Sequence, residues 1–411
     1  MKIATLSIGD ELLSGEIVDT NAAHIAGKLY DAGIRVARHL TVADHEEAIV
    51  EALRELSAGH RAVIVTGGLG STPDDLTAKA AARVAGVQLD VSAEALEHLA
   101  GFSARTTGGL HPKNLSQALV PGGCTLIPNP LGTACGFQIT VNGCRLFFMP
   151  GVPFEMKRML DDTVLPALAG EGQGGWKRIT LKLFGISEAA VAARLEGCLP
   201  AGSPVELAYC VKFPEVHLIL RADVGHLELL EKAAAEVGSR LAAEIFGRGG
   251  DTMDDVLAAL FRKSGKTLAL AESCTGGLIA SRITAVSGSS AYFLEGNVTY
   301  SNEAKTRMLG VPAELIMAHG AVSSEVACAM ADGARKAARS DLALSVTGIA
   351  GPEGGTAEKP VGTVYLAMAD AVSCRVERYN FPGDREAVRS MTCFTALDWL
   401  RGYLLALEKE G

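Results

Sequence analysis

Short apolar runs and longer amphipathic stretches alternate through the first 168 residues. The runs KIATLSI, IRVARHLTV and AVIVTGG read as strands, and residues 20–32, 46–56 and 75–85 place apolar side chains at helical spacing. Such strand–helix alternation predicts a mainly parallel sheet covered by helices, with ligands at the carboxyl ends of its strands. Three further apolar runs, CTLIPN, GFQITV and CRLFFMPG, lead to a helix over 153–168.

The rhythm breaks at GEGQGG (170–175), a glycine-rich linker. A compact α+β pattern follows: strand ITLKLFG, helix SEAAVAARLEG, strands VELAYCV and VHLILRA, and a helix over 227–246. GRGGD (247–251) marks a second break. The last segment reads as helix 253–264, strand TLALAES, a helix from Gly276, strand NVTYS, helices EAKTRML and SSEVACAMADGARKAA, strands LALSVTG and TVYLAMA, and a final helix over 388–406. The expected organisation is a multidomain α/β chain divided at 1–169, 170–248 and 249–411.

Composition agrees with folded domains throughout. The chain has 411 residues, 48% hydrophobic and 21% charged, too long for a single core and too apolar for disorder. Its net charge of −9 disfavours nucleic acid and anionic membranes as partners, because no basic field gathers phosphates. The first residues lack a signal-peptide pattern, and no apolar run approaches a membrane span. Nine cysteines without a C-x-x-C pair read as reduced thiols of a cytoplasmic protein, with neither a disulfide framework nor a zinc site.

Three peptides of the last segment end an apolar strand in small and hydroxyl residues: LALAESCTGG, NVTYSNEAK and LALSVTGIAGPEGG. If their strands are parallel neighbours, these ends converge on one crevice. In AESCTGG the turn leads into a helix, so the N–H groups of Thr275, Gly276 and Gly277 are expected as unpaired donors suited to an oxyanion or phosphate. Ser273 is either a nucleophile or a helix cap. Tyr300 ends a strand, and Lys305 falls in the first turn of a helix whose dipole favours a neutral amine. Such an amine can take a proton from a serine hydroxyl; the alternative is an ordinary exposed lysine. Thr347, Gly348, Ala350 and Gly351 offer hydroxyl and amide groups, or simply a tight turn. Arg385 in FPGDRE suits a phosphate or a helix-start ion pair.

The N-terminal segment carries GDELLSGEIVDTN (9–21) and GGLGSTPDD (67–75), each after a strand. Neither is a dinucleotide fingerprint or a Walker loop. Gly67, Gly68, Gly70 and Thr72 can cradle a phosphate at the start of a helix opening at Pro73. Asp74 and Asp75 can favour a helix start, or can join Asp10 and Glu11 around a hard divalent cation. Glu155 in PGVPFEM is a further candidate.

AESCTGG, VTYSNEAK, HGAVS (319–323), VTGIAGPEGG, KPVGTVY (359–365) and GDRE (383–386), in this order, resemble the C-terminal domain of the CinA (competence/damage-inducible) family. That resemblance implies an α/β/α amidohydrolase domain without a cofactor, hydrolysing nicotinamide mononucleotide (NMN) to nicotinic acid mononucleotide and ammonia. It implies Ser273 as nucleophile, Lys305 and Tyr300 in proton transfer, and Thr347, Arg385 and the glycine loops around the substrate. GDELLSGEIVDTN, TGGLGSTPDDLT, NLSQALVPGG, NPLGTACGF and FFMPGVPFEM resemble the same family's molybdopterin-binding-like N-terminal domain. Members with this domain can cleave ADP-ribose to AMP and ribose 5-phosphate with a divalent metal such as Mg²⁺, Co²⁺ or Ni²⁺. Here Ser71 stands where the family usually has proline, and Pro73 takes the variable place. The middle segment resembles the KH-like connecting domain, but it lacks a G-x-x-G clamp and a basic surface, which leaves spacing or dimer contact as its expected task. A homodimer is implied by the resemblance alone.

Three readings follow. The chain is a bifunctional enzyme of pyridine-nucleotide salvage; or its N-terminal domain binds a molybdopterin-like or nucleotide ligand without turnover; or it is an accessory factor in DNA uptake or repair, against which its acidity counts.

Overall fold

A computed structural model describes residues 2–105, 111–168 and 175–410. Most of the predicted linker, residues 170–174, lies outside the described residues. The chain divides into two compact units, Met1–Arg178 with Arg221–Glu228, and Ile179–Leu220 with Leu229–Gly411.

The N-terminal strands are β1 (Ile3–Ile8), β2 (Val36–Val42), β3 (Ala62–Thr66), β4 (Leu89–Val91), β5 (Leu119–Pro121), β6 (Thr125–Ile127), β7 (Gly136–Val141) and β8 (Cys144–Met149). Six of them form one sheet in the order β2-β1-β3-β8-β7-β6, parallel as far as β8 and antiparallel beyond it. Every residue of β1 and β3 is buried, which explains their near-continuous apolar character. Gly67 ends β3 at a φ of +107°, where a Cβ would lie 2.1 Å from the Ile8 carbonyl oxygen. Only glycine lets the two strand ends approach so closely.

The middle sheet has the order β10-β11-β9-β12, from β9 (Trp176–Leu183), β10 (Glu206–Lys212), β11 (Glu215–Asp223) and β12 (Ile245–Arg248). Here the expected helix over 227–246 stops at Arg240, and Ile245–Arg248 instead pairs antiparallel with β9.

The C-terminal sheet orders β14-β13-β15-β16-β17, from β13 (Leu268–Glu272), β14 (Phe293–Val298), β15 (Leu342–Gly348), β16 (Thr363–Ala369) and β17 (Cys374–Asn380). β14, β13 and β15 are parallel neighbours, so their carboxyl ends do converge. Alternation along β13 and β15 sorts the two faces. Leu268, Leu270, Leu344 and Val346 pack with helices Met253–Ser264 and Arg385–Glu410. Ala269, Ala271 and Ala343 face the helix Ser324–Ala338 through Val326, Met330 and Ala334. The result is an α/β/α layering with its core on both sides of the site-bearing strands.

One expectation about cysteine is corrected. Cys328, in helix Ser324–Ala338, and Cys374, at the start of β17, form a disulfide across 46 residues. No spacing motif announces this bond, because packing of the helix on the sheet brings the two together. The other seven cysteines are free.

Candidate active sites

β13 ends at Glu272, and the turn Ser273–Gly277 carries the chain into helix Leu278–Ala285. Glu272 is 1% exposed, and its carboxylate accepts from the N–H groups of Gly277 (3.0 Å), Ile279 (3.2 Å) and Ala280 (2.8 Å). It therefore caps this helix from the strand before it, supplying acceptors for amides that start every helix without partners. Gly276 donates to the Ser273 carbonyl at 3.1 Å. These bonds correct the expectation that Gly276 and Gly277 present unpaired amides: both are engaged within the turn. Thr275 is fully buried, and its carbonyl accepts from Arg389 at 2.7 Å.

Ser273, Lys305, Tyr300, Thr347, Gly348, Ala350 and Arg385 do come together, lining one cavity of about 210 Å³. Thr275, Gly276, Gly277 and Gly351 do not line it. Lys305 is 1% exposed, and its Nζ lies 3.1 Å from Ser273 Oγ, 2.8 Å from the Thr299 carbonyl and 3.5 Å from the Tyr300 carbonyl. Ser301 caps the helix Asn302–Leu309 that bears the lysine, whereas Ser273 caps no helix, since Gly277 stands at the start of Leu278–Ala285. Burial holds the Lys305 ammonium below its usual range, against a smaller opposing influence from Cys274. The cause is desolvation, where the sequence suggested the helix dipole. Burial also pushes the Cys274 thiol up to about 12, which leaves it protonated near neutrality and a weak nucleophile.

Tyr300 stands in the turn after β14, and its hydroxyl accepts from Arg385 Nη2 at 2.9 Å. Arg385 Nη1 donates to the Gly351 carbonyl at 2.8 Å, so this guanidinium braces two loops of the cavity. Thr347 Oγ1 donates to the Ala321 carbonyl at 2.8 Å. Asn302, Ala321 and Val322 also line the cavity without having been singled out. HGAVS held the signal for the last two, but no chemistry in those side chains pointed to it.

The N-terminal cavity, about 520 Å³, sits at the carboxyl ends of β1, β3 and β8. Gly67, Gly68, Gly70, Thr72, Glu11, Asp74, Asp75 and Glu155 line it, joined by Asp44, which the sequence reading missed although it follows the end of β2. Asp10 is not among the lining residues. Its Oδ1 accepts from Asp44 N at 3.3 Å, and its own N–H donates to Asp44 Oδ2 at 3.0 Å, so Asp10 braces Asp44. Desolvation raises the Asp44 carboxyl, as do Asp10, Glu11 and Asp75 nearby, while the Asp10 amide opposes the shift. The helix expected from Pro73 begins at Thr77. Asp75 therefore precedes it, accepting from Gly70 N (2.7 Å), Thr72 N (2.7 Å) and Thr72 Oγ1 (2.6 Å) to hold the glycine loop closed. Glu155 accepts from Asn129 at 2.7 Å.

An all-oxygen donor set suits a hard divalent cation. Among the described residues no three His, Cys, Asp or Glu side chains converge tightly enough to hold a metal by themselves. Asp75 and Glu155 are already engaged, and one oxygen of Asp44 accepts from Asp10 N, so Glu11, Asp74 and the other Asp44 oxygen could hold a cation only with ligand oxygens completing its shell.

Fold and sites together define a multidomain α/β protein with two strand-end sites, one acid-lined and one built on a buried serine–lysine pair. Residues 250–404 match the family described as "CinA C-terminal domain", residues 4–170 the "Probable molybdopterin binding domain", and residues 178–247 the "Damage-inducible protein CinA KH domain". The chain belongs to the CinA family. It is 69% identical over 405 residues to a CinA-like protein of Citrifermentans bemidjiense, covering 98% of both chains. It is 54% identical over 411 residues to a CinA-like protein of Geobacter sulfurreducens, covering 98% of this chain and all of that one. The solved competence/damage inducible protein CihA of Agrobacterium tumefaciens is 43% identical, with a TM-score of 0.35, covering 36% of this chain and 91% of that one. No helix among the described residues is long and apolar enough to cross a membrane.

Proposed function

We propose that the C-terminal site hydrolyses the carboxamide of nicotinamide mononucleotide to nicotinic acid mononucleotide and ammonia. The observation that carries this reading is the 3.1 Å approach of Lys305 Nζ to Ser273 Oγ in a buried setting. A neutral amine has two N–H donors and one lone pair. The Thr299 and Tyr300 carbonyls can receive the two donors, which turns the lone pair toward the serine hydroxyl. Lys305 takes the Ser273 proton as Oγ attacks the carboxamide carbon. The C–N bond then breaks, the proton passes to the departing nitrogen with Tyr300 assisting, and ammonia leaves a Ser273 ester. Water activated by Lys305 hydrolyses the ester and restores the hydroxyl. A cavity of about 210 Å³ is below the roughly 300–1,000 Å³ of whole small-molecule sites, and suits the reacting end of a mononucleotide. The test is ammonia release from NMN by the wild-type protein, Ser273→Ala and Cys274→Ala. Full turnover by Ser273→Ala, or none by the wild type, overturns the mechanism.

The larger, acid-lined cavity favours a second activity, metal-dependent hydrolysis of ADP-ribose to AMP and ribose 5-phosphate. The cation would neutralise diphosphate charge and polarise the attacked phosphorus. Glu11, Asp44 and Asp74 would hold it, while the loop kept shut by Asp75 offers amides to phosphate oxygens. AMP formation from ADP-ribose with Mg²⁺, Co²⁺ or Ni²⁺ tests this. Binding without AMP would leave the N-terminal domain a ligand-binding module.

A further inference from the structure

HGAVS (319–323) and KPVGTVY (359–365) stand apart in sequence and carry no role in the chemistry above. Lys359 joins them: its Nζ donates to the His319 carbonyl at 3.0 Å and the Val322 carbonyl at 2.7 Å. The two carbonyls between are also taken by side chains. Ser323 Oγ donates to Gly320 O at 2.9 Å, and Thr347 Oγ1 to Ala321 O at 2.8 Å. Four successive carbonyls thus receive side-chain donors. By contrast, among the described residues the N–H groups of Ala321 and Val322 have no hydrogen-bond partner, and both residues line the Ser273 cavity. Amides left unpaired at a cavity wall are free to donate to a bound ligand, or to water in its absence.

The structure assigns Lys359 as a positioning residue that holds 319–322 as the cavity wall, so that the Ala321 and Val322 amides receive an acceptor oxygen of the bound substrate. Its ammonium is suited to the task because a charge-assisted donor fixes two carbonyls at once, one of them ending the helix Ala313–His319. Lys359 does not line the cavity and touches no reacting atom. The inference rests on the amidase reading for its substrate, but not for its structural half.

Lys359→Met and Lys359→Arg are compared with wild type in two measurements, after thermal melts establish that each folds. Hydrogen–deuterium exchange of the peptide spanning 319–323 should be faster in Lys359→Met and near wild type in Lys359→Arg. KM for NMN should rise about ten- to a hundredfold in Lys359→Met, the range for a lost charged hydrogen bond, with kcat within about threefold and partial recovery in Lys359→Arg. Unchanged exchange and unchanged KM overturn the assignment. A fall in kcat at constant KM overturns it too, since that places Lys359 in the chemical step. If the wild type releases no ammonia while exchange responds as expected, the amidase reading fails and the wall assignment stands.

Discussion

Lys305 Nζ and Ser273 Oγ meet 3.1 Å apart, with the lysine almost wholly removed from solvent and the serine opening onto a cavity. This relationship separates two neighbouring candidates. Ser273→Ala should lower ammonia release from NMN by about a thousandfold or more, the usual scale for a lost nucleophile. Cys274→Ala should keep most activity, because burial leaves that thiol protonated. Single-turnover assays of the two variants make the comparison.

The pH profile follows from the direction of the Lys305 shift. Burial disfavours the ammonium, so its pKa lies below the usual lysine range. In the proposed mechanism the neutral amine is the base, so kcat/KM should rise with pH along one ascending limb and level off above that lowered pKa. Lys305→Met should abolish the limb with the activity, by about a hundredfold or more. An ascending limb that persists in Lys305→Met would assign it to another group.

Glu272 keeps the Ser273–Gly277 turn in shape without touching the cavity. Glu272→Ala removes the two oxygens that accept three amide hydrogen bonds and leaves those amides unpaired, a loss of about 2–4 kcal/mol. Glu272→Gln, which retains one oxygen, should lose less. Urea unfolding midpoints at constant m test the order.

In the N-terminal site Asp44→Asn should raise the Mg²⁺ concentration needed for half-maximal AMP release from ADP-ribose. Removing the charge of one of the three candidate carboxylates, Glu11, Asp44 and Asp74, weakens the hold on a hard cation. Asp10→Asn should give a smaller shift in the same direction, because Asp10 acts through Asp44.

Thiol titration under denaturing conditions should find seven reactive cysteines before reduction and nine after it. Cys328→Ser should lower stability by up to about 4 kcal/mol, the loop-closure value for a link across 46 residues. Equal thiol counts before and after reduction would sink this pairing.

Much of the architecture was legible in one dimension. The runs AVIVT and LALAE became β3 and β13 because they are buried on both faces and bounded by turns. Met253–Ser264 appeared as predicted because Thr252 caps one end and Gly265 the other. Less legible were elements that depend on a partner. β12 pairs with β9 where local pattern continued a helix, and β17 is an edge strand of charged and apolar residues with a weak signal of its own. Asp75 looked like a first-turn acid, since short carboxylates bond local amides in either a turn or a helix start.

By itself the sequence determined where strands end in small, polar and glycine residues, and so which peptides build the two sites. Burial periodicity and turn chemistry are local properties that a linear chain displays. Tertiary structure alone decided what those residues do for one another. Sheet order set Lys305 beside Ser273 across 32 positions. The return of a helix onto its own strand turned Glu272 into a cap, and Lys359 was carried to the carbonyls of 319 and 322. Contacts of this kind depend on which strands become neighbours, and no spacing within a single peptide encodes that choice.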